Sequence, residues 1–494
     1  MSWAPIPDKA AARTVGDALR RVGFSEDAVI ELLGEDGYGI TSDDVPVGDR
    51  RLPDTRLGTV VRALFLQVPV PTSELAHALG RAAVDALAAT GVASVGEDVV
   101  LHGRIVPVGE LFVASDDFPG ADAEQDPQDF VAAYTPTSKL CDALTPRGPV
   151  DRALDIGTGS GVQAMLSARH AREVVATDVN ERALAFTELN AALNGFTNID
   201  CRLGSLFEPV AGETFDVITS NAPFVVSPEN RWAYRDGGLE ADQFSELIVR
   251  EAAKHLSDGG FATLLVSWVA EDEDETEARP LDWVEDSGCD SWICPIYALD
   301  PLDHAVRWNV HLAGKHEPFG EVLDTWTSYL EDLGVELVTE GAVLLHRRAG
   351  DQNTARVDVI DDDVVDHAGN QIKRAFEARA RLAELGKPSD LLGERISLAG
   401  HLTLEREIDA DGDRPVETGD RVQMTEGMNL GIEAPKHTIA VVGVLTGDET
   451  LGDVVDVAAE RLGLSETDTK RLRRESVDLV HELLELGALR FRRP

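Results

Sequence analysis

Cysteine, lysine and long apolar runs are what this sequence has least of. Its 494 residues hold four cysteines, Cys141, Cys201, Cys289 and Cys294. So few, and so scattered, they argue against a disulfide framework and make the cytoplasm the expected compartment. No stretch approaches the roughly 20 apolar residues of a membrane helix, so no membrane partner is expected. The start, Met1 to Arg21, has no apolar core flanked by positive charge, and a signal peptide is not expected. Lysine is rare beside arginine, and 45 basic residues face 89 acidic ones, for a net charge of −44. Such an average field disfavours nonspecific attraction to nucleic acid, while a local basic groove stays open. Solubility or a salty cytoplasm accounts for the same excess. The apolar fraction of 43% supports real cores and excludes a disordered chain.

The length predicts about two to four domains. Residues 1–128 read as a helical domain. Arg56 to Leu66 has helical apolar spacing, Thr72 or Ser73 is placed to cap Glu74 to Leu79, and Arg81 to Thr90 closes at Gly91. Strand-like Val99 to Leu101 and Leu111 to Ala114 follow, which suggests a winged-helix arrangement. A loop rich in Asp, Pro and Gly, Asp116 to Asp129, leads into residues 129–349. There, strand candidates Arg152 to Ile156, Glu173 to Thr177, Phe215 to Ser220, Phe261 to Val266 and Ser291 to Tyr297 alternate with helical segments. That alternation predicts an α/β fold with a parallel sheet covered on both faces. Residues 350–494 read as a C-terminal α+β domain. It has a helix at Asn370 to Leu385, β character near Ile396 to Leu404, and a winged-helix-like unit from about 436. In that unit Lys470 to Leu486 is helical, Gly487 ends it and Ala488 to Arg492 is strand-like.

The strongest local pattern is Asp155-Ile156-Gly157-Thr158-Gly159-Ser160-Gly161, after a strand and before the helix Val162 to Ala168. Glycines let a backbone turn tightly and approach a ligand, and the helix start offers free N–H groups and a positive dipole end. Asp178 closes the next strand, where an acid accepts bonds from both ribose hydroxyls. Nicotinamide enzymes share a glycine turn and a distant acid. Two details favour S-adenosylmethionine (SAM) instead: the Gly-x-Gly-x-Gly spacing, and Asp155 placed to meet a methionine amino group.

The strand Phe215 to Ser220 runs into Asn221-Ala222-Pro223-Phe224. Ligands of open parallel sheets sit at the carboxyl ends of strands, which puts Asn221 beside the glycine loop. An amide or aromatic exocyclic amine is a poor nucleophile, because its lone pair is delocalised. Two acceptors on its N–H groups, the Asn221 side-chain oxygen and the Ala222 carbonyl, orient the nitrogen. Pro223 stiffens the turn, and Phe224 offers a flat face to a planar group.

These residues resemble the HemK/PrmC-type glutamine N5-methyltransferases and the related N6-adenine and N2-guanine methyltransferases. The resemblance spans residues 130 to about 270. It rests on Asp155 to Gly161, on Asp178, on Gly204-Ser205-Leu206-Phe207-Glu208-Pro209, and on Asn221 to Phe224. It extends to Asp236-Gly237-Gly238-Leu239 and the helix Phe244 to Leu256, which is followed by Asp258-Gly259-Gly260. Upstream, Tyr134 to Ser138 takes the place of a Pro-containing segment over the site. The resemblance implies a Rossmann-like seven-stranded methyltransferase sheet, with SAM as methyl donor and S-adenosylhomocysteine as product. The cofactor residues it implies are Asp155, Gly157, Thr158, Gly159, Gly161, Asp178, Val179, Ser205, Leu206 and Asn221. The acceptor would be held by Asn221, Ala222, Pro223 and Phe224. Two positions depart from the family pattern: Ala222 stands for its first Pro, and Ser205 for its Asp.

Three functions remain open: methylation of a protein glutamine, methylation of an amine on RNA more than DNA, and SAM binding without catalysis. Cys289 and Cys294, with His304 and His311, have the wrong spacing for common zinc knuckles, so no metal is expected. Lys470, Arg471, Arg473 and Arg474, with Arg490, Arg492 and Arg493, could contact RNA, or could be solvated and paired with neighbouring acids.

Overall fold

The computed structural model of the protein describes residues 3–34, 41–116, 129–228, 239–312, 316–348, 353–411, 414–435 and 437–492. The chain divides into two compact units. One comprises residues 1–141 and 148–357; the other comprises 142–147 and 358–494.

The first unit opens with helix Lys9–Val22. The Asp8 carboxylate caps it by accepting from the Ala10 and Ala11 amides at 3.0 Å, and Gly23 ends it at φ 77°. Helix Arg56–Val60 continues into a π turn, Val61–Phe65. Strand β1 (Val70–Pro71) and helices Thr72–Leu79 and Arg81–Ala89 follow, then β2 (Ala93–Val95) and β3 (Asp98–Leu101). These strands pair antiparallel in the order β1-β3-β2. The expected cap at Thr72 or Ser73 does not form. The helix already begins at Thr72, whose hydroxyl donates to the Gly96 carbonyl at 2.9 Å and so serves the sheet. A separate hairpin, β4 (Arg104–Val108) and β5 (Leu111–Ser115), completes this part.

The same unit holds an eight-stranded sheet: β6 (Val150–Ile156), β7 (Ala171–Asp178), β8 (Ile199–Leu203), β9 (Phe215–Ser220), β10 (Leu256–Ala270), β11 (Cys289–Leu299), β12 (Leu337–Arg347) and β13 (Ala355–Val357). Their order is β13-β11-β12-β10-β9-β6-β7-β8. Strands β6 to β10 run parallel, and β12 is antiparallel to both its neighbours. This is the expected Rossmann-like methyltransferase sheet of seven strands with the short β13 added at one edge. Leu154, Val175, Ile218 and Leu264 are buried on one face and Ala153, Val174, Ala176 and Val217 on the other, which makes the central strands two-faced core strands.

One apolar cluster joins the N-terminal part to the sheet's helical layer. Ala12, Val15, Leu19, Phe112 and Val113 share it with Val162, Met165, Phe186, Leu189 and Leu193. Gly16 is where helix Lys9–Val22 meets helix Glu181–Asn194, since a Cβ there would sit 2.0 Å from the Leu193 carbonyl oxygen.

The second unit contains helix Gly369–Leu385, strand β14 (Arg395–Leu398), and a meander of β15 (Leu402–Asp411), β16 (Arg414–Met424) and β17 (Gly431–Ala434). Then come β18 (Thr446–Thr450), helices Leu451–Arg461 and Glu466–Glu485, and β19 (Leu489–Phe491). The succession strand, helix, helix, strand of residues 70–95 thus recurs at 446–491. Here the central strand, β14, comes from upstream in an antiparallel order β18-β14-β19.

Candidate methyl-transfer site

Strand β6 delivers Asp155 and then breaks into the glycine turn. Gly157, Gly159 and Gly161 all have positive φ, at 65°, 56° and 83°. Two of them are also packed too tightly for a side chain. A Cβ on Gly157 would meet Ala222, and one on Gly161 would lie 2.9 Å from Thr187 Cγ2. A Cβ on Gly159 would meet nothing within 4 Å, so that side of the turn is open space.

Asp155 is buried and both its oxygens serve the protein. Oδ2 accepts from the Thr158 hydroxyl at 2.7 Å and the Ala164 amide at 3.1 Å, and Oδ1 accepts from the Thr219 hydroxyl at 2.9 Å. It therefore fastens the turn to the following helix and to β9. Asp178, half-buried at the end of β7, accepts from the Gly159 amide at 3.0 Å and the Asn180 amide at 2.9 Å. Burial raises its pKa above the usual carboxylate value, against the lowering effect of the amides of Asn180, Gly159 and Val179. The Thr158 amide donates to the Thr177 carbonyl at 3.0 Å, the Thr187 hydroxyl to the Gly159 carbonyl at 3.0 Å, and the Asn190 amide to the Ser160 carbonyl at 2.8 Å. The turn is thus held from β7, from β9 and from helix Glu181–Asn194.

Val179 follows Asp178 with an apolar side chain 67% exposed. Gly204, at φ 152°, donates its amide to the Asp178 carbonyl at 3.0 Å, which brings the Ser205-Leu206 turn beside it. Ser205 is exposed. Leu206 sits at φ 48° with its carbonyl accepting from the Thr177 hydroxyl at 3.3 Å.

Strand order places β9 beside β6, so the Asn221 turn abuts the glycine turn. Ala222 is buried, while Asn221, Pro223 and Phe224 are half-buried. Asn221 Nδ2 donates to Ser138 Oγ at 3.2 Å, and Ser138 Oγ lies 2.9 Å from Thr135 Oγ1. The upstream segment therefore reaches Asn221 across 83 residues and leaves its Oδ1 without a described partner. The Phe224 carbonyl accepts from the Ser267 hydroxyl, and its ring meets Trp308 edge-on at 6.3 Å. Trp308 in turn donates to the buried Glu340. Asp236, Gly237 and Gly238 lie outside the described residues.

Sequence reasoning did not identify Thr219, Ser267, Trp308 or Glu340 as neighbours of the site. Thr219 had a signal, since it stands two residues before Asn221. Trp308 and Glu340 lie beyond the resembling segment and had none.

Cys289 and Cys294 occupy one strand, and His304 Nε2 bonds the Val226 carbonyl at 2.8 Å. Burial pushes the Cys289 thiol up to about 11 and the Cys201 thiol to about 12, so both are neutral in the metal-free protein at neutral pH. Among the described residues no group of three or more His, Cys, Asp or Glu is placed to hold a metal, and no helix is long and apolar enough to cross a membrane.

Residues 135–273 match the methyltransferase small domain family, which supports a class I SAM-dependent methyltransferase domain in this part of the chain. Residues 21–103 match a domain of unknown function, DUF7059. The chain is 37% identical over 137 residues to the release factor glutamine methyltransferase of Aquifex aeolicus, covering 24% of this chain and 47% of that one. It is 30% identical over 165 residues to the ribosomal protein uL3 glutamine methyltransferase of Bradyrhizobium diazoefficiens, covering 31% and 52%. The chain thus spans about half the length of the curated relatives it matches. Among solved structures it resembles a methyltransferase from Pyrococcus furiosus, at 20% identity and TM-score 0.27, covering 43% of this chain and 83% of that one.

Proposed function

We propose that this protein transfers the methyl group of SAM to the side-chain amide nitrogen of a glutamine in a protein of the translation apparatus. The observation that carries the reading is the Asn221 turn. Ser138 occupies the amide nitrogen of Asn221, so Oδ1 and the neighbouring Ala222 carbonyl are the groups free to accept from a substrate –NH2.

SAM supplies an electrophilic methyl on a sulfonium. The residues present suit it: the open side of Gly159 admits a ligand next to the backbone, Asp178 offers a carboxylate to ribose hydroxyls, and Val179 and Leu206 give apolar edges for an adenine. With both Asp155 oxygens on Thr158, Ala164 and Thr219, that residue shapes the turn and leaves the methionine end to the loop backbone. Asn221 and the Ala222 carbonyl orient the acceptor nitrogen, and Phe224 covers the planar amide. Alignment and electrostatics then supply the rate, without metal or strong acid.

The relatives act on release factors and on a ribosomal protein, which favours a protein acceptor over a nucleobase and a cytoplasmic location. Residues 56–101, a run of helices with a three-stranded antiparallel sheet, suit a protein-docking role.

The test is methyl transfer from radiolabelled SAM into an extract from cells lacking this protein, followed by separate protease and nuclease digestion. Label released by protease and mapped to glutamine supports the reading. Label released by nuclease, or label unchanged with Asn221→Ala, overturns it.

A further inference from the structure

The second unit carries two kinds of basic residue. On helix Glu466–Glu485, Lys470 pairs with Glu466 at 2.8 Å, Arg471 with Asp468 at 3.0 Å and Arg473 with Asp456 at 2.5 Å. These are solvated pairs of small net effect. Arg374, Arg395, Arg490 and Arg492, around the three-stranded sheet, make no salt bridge among the described residues, and the opposing charge that acts on Arg374 is Glu377 of the same helix.

Register puts three of them together. Ser397 lies opposite Arg490, and the Arg492 amide donates to the Arg395 carbonyl at 2.8 Å. Directly opposed residues, and alternate residues of one strand, share a face. Arg395, Arg490 and Arg492 therefore stand on one face with Ser397. Strand β18 adds Thr450 opposite Arg395 and Thr446 opposite Ser397. The other face carries Ile396, Leu489 and Phe491.

Arg374 joins from helix Gly369–Leu385. Its Nε donates to the Gly487 carbonyl at 3.1 Å, and it lines a cavity of about 200 Å³ that Asn370, His401 and Glu426 also line. Burial, and then the like charge of Arg490, holds its pKa below the usual arginine value, against the raising effect of the Glu377 carboxylate. Like charges set side by side on a sheet destabilise it, and an anion relieves that cost.

The face is dominated by guanidinium and hydroxyl groups; Asp448 shares it on β18, where its carboxylate accepts from the Thr446 hydroxyl at 2.9 Å. A protein partner would look for an aromatic or aliphatic centre to desolvate, whereas nucleic-acid interfaces are polar and positive. Arginine forks bind phosphate in a bidentate way.

We propose that Arg374, Arg395, Arg490 and Arg492 form a binding face for the phosphodiester backbone of single-stranded RNA, independent of the methyl acceptor. Phosphates are contacted and bases are not read, so binding is tolerant of sequence.

The test is fluorescence anisotropy of labelled oligouridine with the full chain over a range of salt. Each phosphate contact in a single strand contributes about 0.7 to the slope of log affinity against log salt. Arg490→Gln with Arg492→Gln should weaken binding roughly tenfold or more at low salt and reduce the slope by about 1.4. Arg490→Lys with Arg492→Lys should keep the slope, and Arg471→Gln with Arg473→Gln should change neither quantity. No binding by the parent protein, or equal loss in the Arg471/Arg473 variant, overturns the proposal. Displacement of the oligouridine by polyglutamate at equal charge overturns it in favour of an acidic protein.

Discussion

A Cβ on Gly157 would lie 2.9 Å from the Cβ of Ala222. The glycine turn and the Asn221 turn are therefore packed with no room for a methyl group between them. Gly157→Ala meets a clash and a φ of 65°, so it should weaken SAM binding by at least about tenfold. Gly212→Ala is the control: its φ is 79°, but nothing lies within 4 Å, so only the backbone cost applies. Equal SAM affinities for the two variants, by calorimetry, would show that the contact between the turns does not matter.

Asn221→Ala should reduce turnover by on the order of 100-fold, as loss of one oriented acceptor does, with SAM affinity nearly unchanged. Ser138→Ala leaves Asn221 in place but frees its amide to rotate, so a loss of about tenfold is expected. Single-turnover rates with saturating SAM separate the two effects from binding.

The sheet was legible where its strands are continuous apolar runs. Strands β6, β7, β9, β10 and β11 announce themselves in this way. Strand β8, Ile-Asp-Cys-Arg-Leu, is an edge strand with half-exposed side chains and no such run. Strand β12 is buried along nearly its whole length, yet Glu340 and Gly341 interrupt its pattern. Both are tertiary requirements: Glu340 receives the Trp308 indole, and a Cβ on Gly341 would press within 2.9 Å of Trp268. The nearness of the Asn221 and glycine turns follows from strand order. The Ser138 contact, which spans 83 residues, has no periodic signature, and only the resemblance, which lays Tyr134 to Ser138 over the site, points to it. On helix Glu466–Glu485 Lys470, Arg471 and Arg473 are paired with acids one turn away or on the neighbouring helix, while Arg490 and Arg492 make no salt bridge among the described residues.

Asp178 should make SAM binding depend on pH. Burial raises its pKa in the free protein, and ribose hydroxyls donate to its charged form, so binding releases a proton. Affinity should hold steady above the raised pKa and fall as pH drops through it. Stability runs the other way. The folded state keeps this proton to higher pH than the unfolded chain does, so the contribution of Asp178 is full at low pH. It is lost as pH rises through the folded value. Asp178→Asn should bind SAM about 10- to 100-fold more weakly, the range for a hydrogen bond to a charged group, and its affinity should no longer vary with pH. Calorimetry across the acid range checks both slopes.

Asn190 and Asn194 extend the β4–β5 hairpin without a third strand. The Ala114 amide donates to Asn190 Oδ1 at 2.7 Å, and Asn190 Nδ2 returns a bond to the Ala114 carbonyl at 2.9 Å. Asn194 makes the same exchange with Phe112, at 2.9 Å and 2.7 Å. Two side chains four residues apart on the helix thus match alternate residues of β5, because four helical residues rise about 6.0 Å, close to the roughly 6.7 Å of two strand residues. The Asn190 amide also reaches the Ser160 carbonyl in the glycine turn, so one residue ties the N-terminal part to the cofactor loop. Asn190 is fully buried. Asn190→Ala would orphan the amide and carbonyl of Ala114 in a dry contact, at a cost of about 2–4 kcal/mol, and would loosen the loop. A lower Tm together with weaker SAM binding is expected. Asn194→Ala, which does not touch the loop, should lower Tm and leave SAM affinity alone. If both variants bind SAM like the parent, the N-terminal part is held to the domain without influencing its site.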